Sequence, residues 1–201
     1  MLYSCGCHLD KTLGLRRNEV PIPSELLRAV LETSLDVFFQ YEVQEVLEGV
    51  NERNNCGRLA IYIQQTAQDH GLDGYFADTE YNRKQDGKVK TILDSEMKVV
   101  AINCDLILHS RGQFVAEDNL IAVEVKKRDR PKAEKDKDRE RLRALTKASY
   151  GDIWSADGSA LPEHVCGYAL GIFVELDRAQ RICRLEYYRS GEMFEQAVRH
   201  F

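Results

Sequence analysis

Long apolar runs are missing from this 201-residue sequence. The longest stretches, such as Cys166 to Val174, fall well short of the roughly 18 residues needed to span a bilayer. No secretory h-region follows the amino terminus. These absences argue against a membrane-spanning or exported chain, so no membrane partner is expected and a cytoplasmic location follows by default. Internal repeats and low-complexity linkers are also lacking, which excludes repeat architectures and disordered tethers. Cysteine occurs six times without suggesting a disulfide framework, because a chain this long and 43% apolar needs no such staples. Cys104, Cys166 and Cys183 lie inside apolar runs, where a thiol acts as a small core side chain. Cys5, Cys7 and His8 form a Cys-x-Cys-His cluster that could bind zinc, yet no second ligand pair follows at finger-like spacing.

Net positive charge is lacking too. The formal charge of -5 argues against a nucleic-acid partner until the charges are placed along the chain. Residues 126–147 hold eleven Lys or Arg against five Asp or Glu, while the remainder holds 17 against 28. One segment is therefore basic and the rest acidic. By itself such a segment reads either as a solvated, ion-paired helix or as a phosphate-binding surface.

Residues 1–23 show no periodicity, and Pro21-Ile22-Pro23 closes them off as an irregular arm; residues 24–201 read as one domain. Ser24 is placed to cap a helix whose inward face is Leu27, Val30, Leu31, Ser34, Leu35, Phe38, Phe39 and Val43, with Gly49 at its end. Asn51 caps a second, with Cys56, Leu59, Ala60, Ile63 and Ala67 inward and Gly71 as stop. Strands are expected over Tyr75 to Arg83, Lys98 to His109 and Asn119 to Lys126, the last two joined as a hairpin by the turn at Ser110-Arg111-Gly112-Gln113. Pro131 opens the first turn of a charged helix running toward Gly151. A loop over Gly151 to Glu163 precedes strands at Val165 to Leu176 and Arg181 to Tyr188, and Ser190-Gly191 leads into a short terminal helix. The order is helix, helix, three strands, helix, two strands, helix. It describes a mixed α/β (α+β) fold, with a mixed central sheet flanked by helices.

Chemistry concentrates where two apolar strands end in charge. Glu124 and Lys126 stand two apart on one strand and so share a face, opposite Val123 and Val125. Burying both at the end of an apolar strand is costly unless they pair or meet a ligand. Asp105 opens the polar end of the preceding strand. Two hard carboxylates suit Mg²⁺ or Mn²⁺, and a lysine beside them can orient or help deprotonate a water that attacks a phosphate.

The segment Cys104-Asp105-Leu106-Ile107-Leu108-His109, followed by Leu120-Ile121-Ala122-Val123-Glu124-Val125-Lys126, resembles the PD-(D/E)XK nuclease superfamily. Its pattern is an Asp, a hairpin, then Glu-x-Lys, and the element order agrees from about Asn51 to Leu176. It departs at Cys104, where proline is frequent in the family. The resemblance implies a restriction-endonuclease-like core and a Mg²⁺-dependent nuclease, with Mn²⁺ substituting, that cuts DNA, most readily as an endonuclease. Asp105, Glu124 and Lys126 carry over as catalytic residues, and Asp105, Glu124 and Val125 as the metal-binding positions. Family members often add a helix-borne Glu, for which Glu52 is placed on the inward face four residues before Cys56. Glu52 reads equally as a helix-dipole acid after Asn51. Glu80 is a competing acid that could instead pair with Arg83. The basic segment then becomes a backbone clamp, with Lys127, Arg128, Arg130, Lys132, Arg139 and Arg143 on phosphates.

His109 stands four residues from Asp105, roughly 13 Å along a strand, too far to share a metal. Tyr81 and Trp154 could stack on bases, though lone aromatics more often pack. RNA is the alternative substrate, self-association as a homodimer is open, and the rival reading is a non-catalytic nucleic-acid-binding or scaffold protein on the same fold.

Overall fold

The computed structural model describes residues 21–80, 91–93, 99–101, 104–147 and 167–201. Two helices come first, α1 (Ser24–Glu48) and α2 (Glu52–Asp69). Strands β1 (Phe76–Thr79), β2 (Thr91–Leu93), β3 (Val99–Ala101) and β4 (Leu106–His109) follow, then a 3₁₀ turn at Val115–Glu117 and β5 (Asn119–Lys127). Helix α3 (Lys132–Thr146) separates β5 from β6 (Leu170–Asp177), β7 (Ile182–Arg189) and β8 (Glu192–His200). Six strands form one sheet in the order β1-β4-β5-β6-β7-β8. Neighbours are antiparallel except β5 and β6, which run parallel with α3 in the connection between them. The fold is thus a mixed α/β sheet flanked by helices.

Alternation sorts the sheet into two faces. Val123 and Val125 of β5, Ile172 and Val174 of β6 and Leu185 of β7 join α1 and α2 in the larger core. Ala122, Phe173 and Tyr188 turn the other way, onto Leu142 and Leu145 of α3. The face of α1 is as the spacing requires, except that Val43 is only half-buried and Glu42 and Val46 complete the stripe. At its end Gly49 adopts φ +83°, and the N–H groups of Gly49 and Val50 return to the Val46 and Glu45 carbonyls. Asn51 caps α2 by accepting the Asn54 N–H at 2.8 Å.

Several expectations are corrected. Ser24 is the first helical residue, and Pro23 takes the cap position without a side-chain hydrogen bond. Pro131 likewise stands just before α3, which stops at Thr146, short of Gly151. The single strand over Lys98 to His109 is two: β3 pairs with β2 in a separate two-stranded sheet, and β4 begins afresh after Asp105. The strand from Tyr75 ends at Thr79, where Glu80 turns to φ +50°. The terminal helix is instead strand β8. Ser190 and Gly191 both have positive φ, at 53° and 83°, the conformation of a two-residue hairpin turn. Glu192 to His200 contains good helix formers, but the open edge of β7 offers a full ladder of hydrogen bonds, and pairing overrides propensity. Val165, Tyr81, Trp154, Arg83 and the Cys5/Cys7/His8 cluster lie outside the described residues.

Candidate active site

Three elements meet at the carboxyl end of β5. Asp105 stands one residue before β4, the antiparallel neighbour of β5. Its Oδ2 accepts the Val125 main-chain N–H at 2.9 Å and lies 3.3 Å from Lys126 Nζ. Glu124 and Lys126 project from β5 toward α3, as alternation demands. Glu124 is wholly buried; Asp105 is 24% exposed and stands at the mouth of the group. Asp105, Glu124 and Lys126 are therefore brought together as their spacing implies.

Helix α3 supplies two further members. Asp138 Oδ2 lies 3.2 Å from Lys126 Nζ, and Arg141 Nη1 is 3.0 Å from Asp138 Oδ1 and 2.5 Å from Glu124 Oε1. Asp105, Lys126, Asp138, Arg141 and Glu124 thus form a chain of alternating charge across β4, β5 and α3. Asp138 belongs to the buried stripe of α3 with Lys135, Leu142 and Leu145, at spacings of three and four. That spacing was the available signal for Asp138, hidden because acids and bases are scattered all round so charged a helix.

The electrostatics follow from burial. Three carboxylates face two cations, an excess of one negative charge when all are ionised. Burial, reinforced by Asp105, pushes the Glu124 carboxyl well above the usual carboxylate range, and Arg141 offsets this only in part. Burial likewise raises Asp138 against the pull of Lys126 and Arg141. For Lys126 burial acts to lower the ammonium pKa, but Asp105 and Asp138 outweigh it and the net direction is upward. Cys56, on α2, feels the same group: burial and then Asp105 and Glu124 hold its thiol protonated. Of the Glu124 oxygens, Oε2 is buried with no hydrogen-bond partner.

Other expected residues stand apart. Glu52 reaches the same strand end, but its Oε1 accepts the Lys127 N–H at 3.0 Å and its carboxylate pairs with Arg130 at 3.1 Å. Glu80 pairs with Arg53 at 2.7 Å, and only its main-chain N–H touches the site, donating to the Asp105 carbonyl at 3.3 Å. Val125 contributes its N–H to Asp105, while its carbonyl lies 3.4 Å from Lys126 Nζ. His109 is buried and meets Asp78 through Nε2 at 2.9 Å, away from Asp105.

The basic segment is largely engaged within the molecule. Arg128 pairs with Glu175, Arg130 with Glu52, Lys132 with Asp136, Arg139 with Glu186 and Arg143 with Glu140 and Glu192; Lys127 donates to the Gly49 carbonyl. A row of unpaired cations is not what these six side chains present. A cleft of about 370 Å³ opens at the ends of β5 and β6, lined by Lys127, Arg128 and Arg178 together with Asp129 and Asp177, and not by Asp105, Glu124 or Asp138.

Among the described residues no group of three or more His, Cys, Asp or Glu is arranged to hold a metal ion. Mg²⁺ asks for less, since it keeps several waters and binds through one or two carboxylates. The buried, unpartnered Glu124 Oε2 and the excess negative charge fit such an ion. In comparisons with known proteins, no family model, curated protein or solved structure matches the chain. No described helix is long and apolar enough to cross a membrane.

Proposed function

We propose that this chain is a divalent-metal-dependent nuclease with a restriction-endonuclease-like core, hydrolysing phosphodiester bonds in DNA, with RNA the alternative substrate. The observation that carries this reading is Glu124: a wholly buried carboxylate with one unpartnered oxygen, in a group whose carboxylates outnumber its cations. Asp105 and Glu124 would hold Mg²⁺ or Mn²⁺, with Glu52 at the same strand end as a reserve acid. When bound, the ion supplies positive charge to a phosphate oxygen and acidifies a water.

The remaining work falls to the chain. The Val125 N–H fixes the Asp105 carboxylate, and Asp105 and Asp138 hold the Lys126 ammonium between them. Held as a cation, Lys126 donates to a phosphoryl oxygen or orients the attacking water rather than removing its proton. Asp138 is a positioning residue acting through Lys126. The cleft beside β5 and the exposed flank of α3 offer the path for the phosphate backbone, because exposed ion pairs are worth only about 0–1 kcal/mol and exchange readily.

A second reading, a non-catalytic nucleic-acid-binding or scaffold protein, draws on the 2.5 Å contact from Arg141 that closes Glu124 from within. Incubation of plasmid, linear duplex, single-stranded DNA and RNA with and without Mg²⁺ separates the two. Metal-dependent cleavage is expected; its absence on all four substrates would sink the nuclease.

A further inference from the structure

Glu124 cannot move aside. It sits in the central strand between β4 and β6 with no exposed surface, so whatever neutralises it must come to it. Arg141 does so. Its guanidinium approaches Oε1 at 2.5 Å from the flank of α3, and its side chain keeps 24% of its surface exposed, leaving it a way out to water. Its second partner, Asp138 Oδ1 at 3.0 Å, belongs to its own helix three residues back, and a guanidinium that moves out to water leaves both carboxylates.

We propose that Arg141 is a built-in stand-in cation: it occupies the Glu124 carboxylate in the ion-free protein and gives it up when a divalent ion binds. This rests on the metal-centre reading above. Charge supports the exchange. Adding a divalent ion to the intact group turns one excess negative charge into one excess positive charge, whereas adding it as Arg141 leaves Glu124 for water brings the buried group to neutrality. Burial favours the neutral arrangement, because uncompensated buried charge of either sign is costly. Arg141 thereby weakens divalent binding while protecting the empty site. It also links α3, which carries Asp138 and the basic flank, to occupancy of the centre.

The test measures binding, not cleavage. Mn²⁺ is titrated into the full chain and into Arg141→Gln, followed by electron paramagnetic resonance of the free ion and by calorimetry. Arg141→Gln is expected to bind Mn²⁺ about tenfold more tightly, on the scale of removing one competing close charge. Its melting temperature should be lower than that of the parent without metal, and should rise more on adding Mn²⁺. Should Arg141→Gln fold poorly, Arg141→Lys retains a charge without the forked geometry, and its affinity should still exceed that of the parent. Equal or weaker binding by folded Arg141 variants overturns the stand-in role while leaving the metal centre in place. Absence of Mn²⁺ binding by parent and variants alike overturns both.

Discussion

Lys126 lies between two carboxylates, 3.3 Å from Asp105 and 3.2 Å from Asp138, and this position fixes what it can contribute. Its charge is held, so in the proposed nuclease its part is that of a donor and positive point rather than a base. Lys126→Ala is expected to reduce cleavage by about two to four orders of magnitude, the scale of removing a group that acts in the transition state. Measured on the same preparation, the melting temperature should also fall, since Asp105 and Asp138 lose their shared partner. Full cleavage by a folded Lys126→Ala protein would refute the assignment. Glu124 predicts the opposite balance. Glu124→Gln removes the excess buried charge, so it should abolish metal-dependent cleavage yet raise the melting temperature by about 2–4 °C, the shift that roughly 1 kcal/mol gives in a chain of this size. A large loss of stability in that variant would show that the ionised carboxylate is itself a structural tie.

At the scale of elements, the first two helices are clasped by Glu42. Its carboxylate on α1 accepts from Arg58 Nε at 2.8 Å and from Tyr62 Oη at 2.6 Å on α2. These donors hold the Glu42 carboxyl below its ordinary value of 4.5. A carboxyl whose pKa is lowered by folding contributes stability above its unfolded value and loses it as pH falls through the folded one. Glu42→Gln should therefore lower the melting temperature by about 2–4 °C at neutral pH, and the gap to the parent should close as the solution is acidified through the folded-state pKa. A gap that persists unchanged in acid would assign the effect to packing instead. Elements also show where sequence is readable. The hairpin β4–β5 and the inward faces of α1 and α2 were legible because long apolar runs and three-four spacing have few alternatives. β8 was not, because Glu, Met, Gln and Ala favour a helix locally and only the waiting edge of β7 makes a strand better. The break between β3 and β4 was hidden for a similar reason: valine and isoleucine continue on both sides of a change of sheet.

At the scale of the whole molecule, the basic charge segregated in residues 126–147 is, among the described residues, largely paired in space. Arg128, Arg130, Arg139 and Arg143 each find a carboxylate from a distant part of the chain, so the local surplus of residues 126–147 overstates the cationic surface. Nucleic-acid affinity should accordingly depend on the exposed flank of α3 more than on those arginines. Replacing Lys132 and Lys137, both exposed on α3, with Gln is expected to flatten the slope of log affinity against log salt by about 0.9 for each duplex phosphate that is no longer neutralised. An unchanged slope would return that flank to a solvated, ion-paired surface. Removal of divalent ions with chelator should stop cleavage, and excess Mg²⁺ should restore it; cleavage that continues in chelator would refute the two-carboxylate centre.

The sequence by itself determined that Glu124 and Lys126, two apart in an apolar strand, share a face, and that a basic segment follows. Those facts depend on the two-residue repeat of a strand and on covalent neighbours, which no packing can alter. Only the tertiary structure decided the rest. Asp138 and Arg141 joined the site because the connection from β5 to β6 lays α3 across that face of the sheet. Glu52 was turned to Lys127 and Arg130, and Glu80 to Arg53, because a carboxylate goes to the nearest cation in space, and which cation is nearest is fixed by how helices and strands pack rather than by their order.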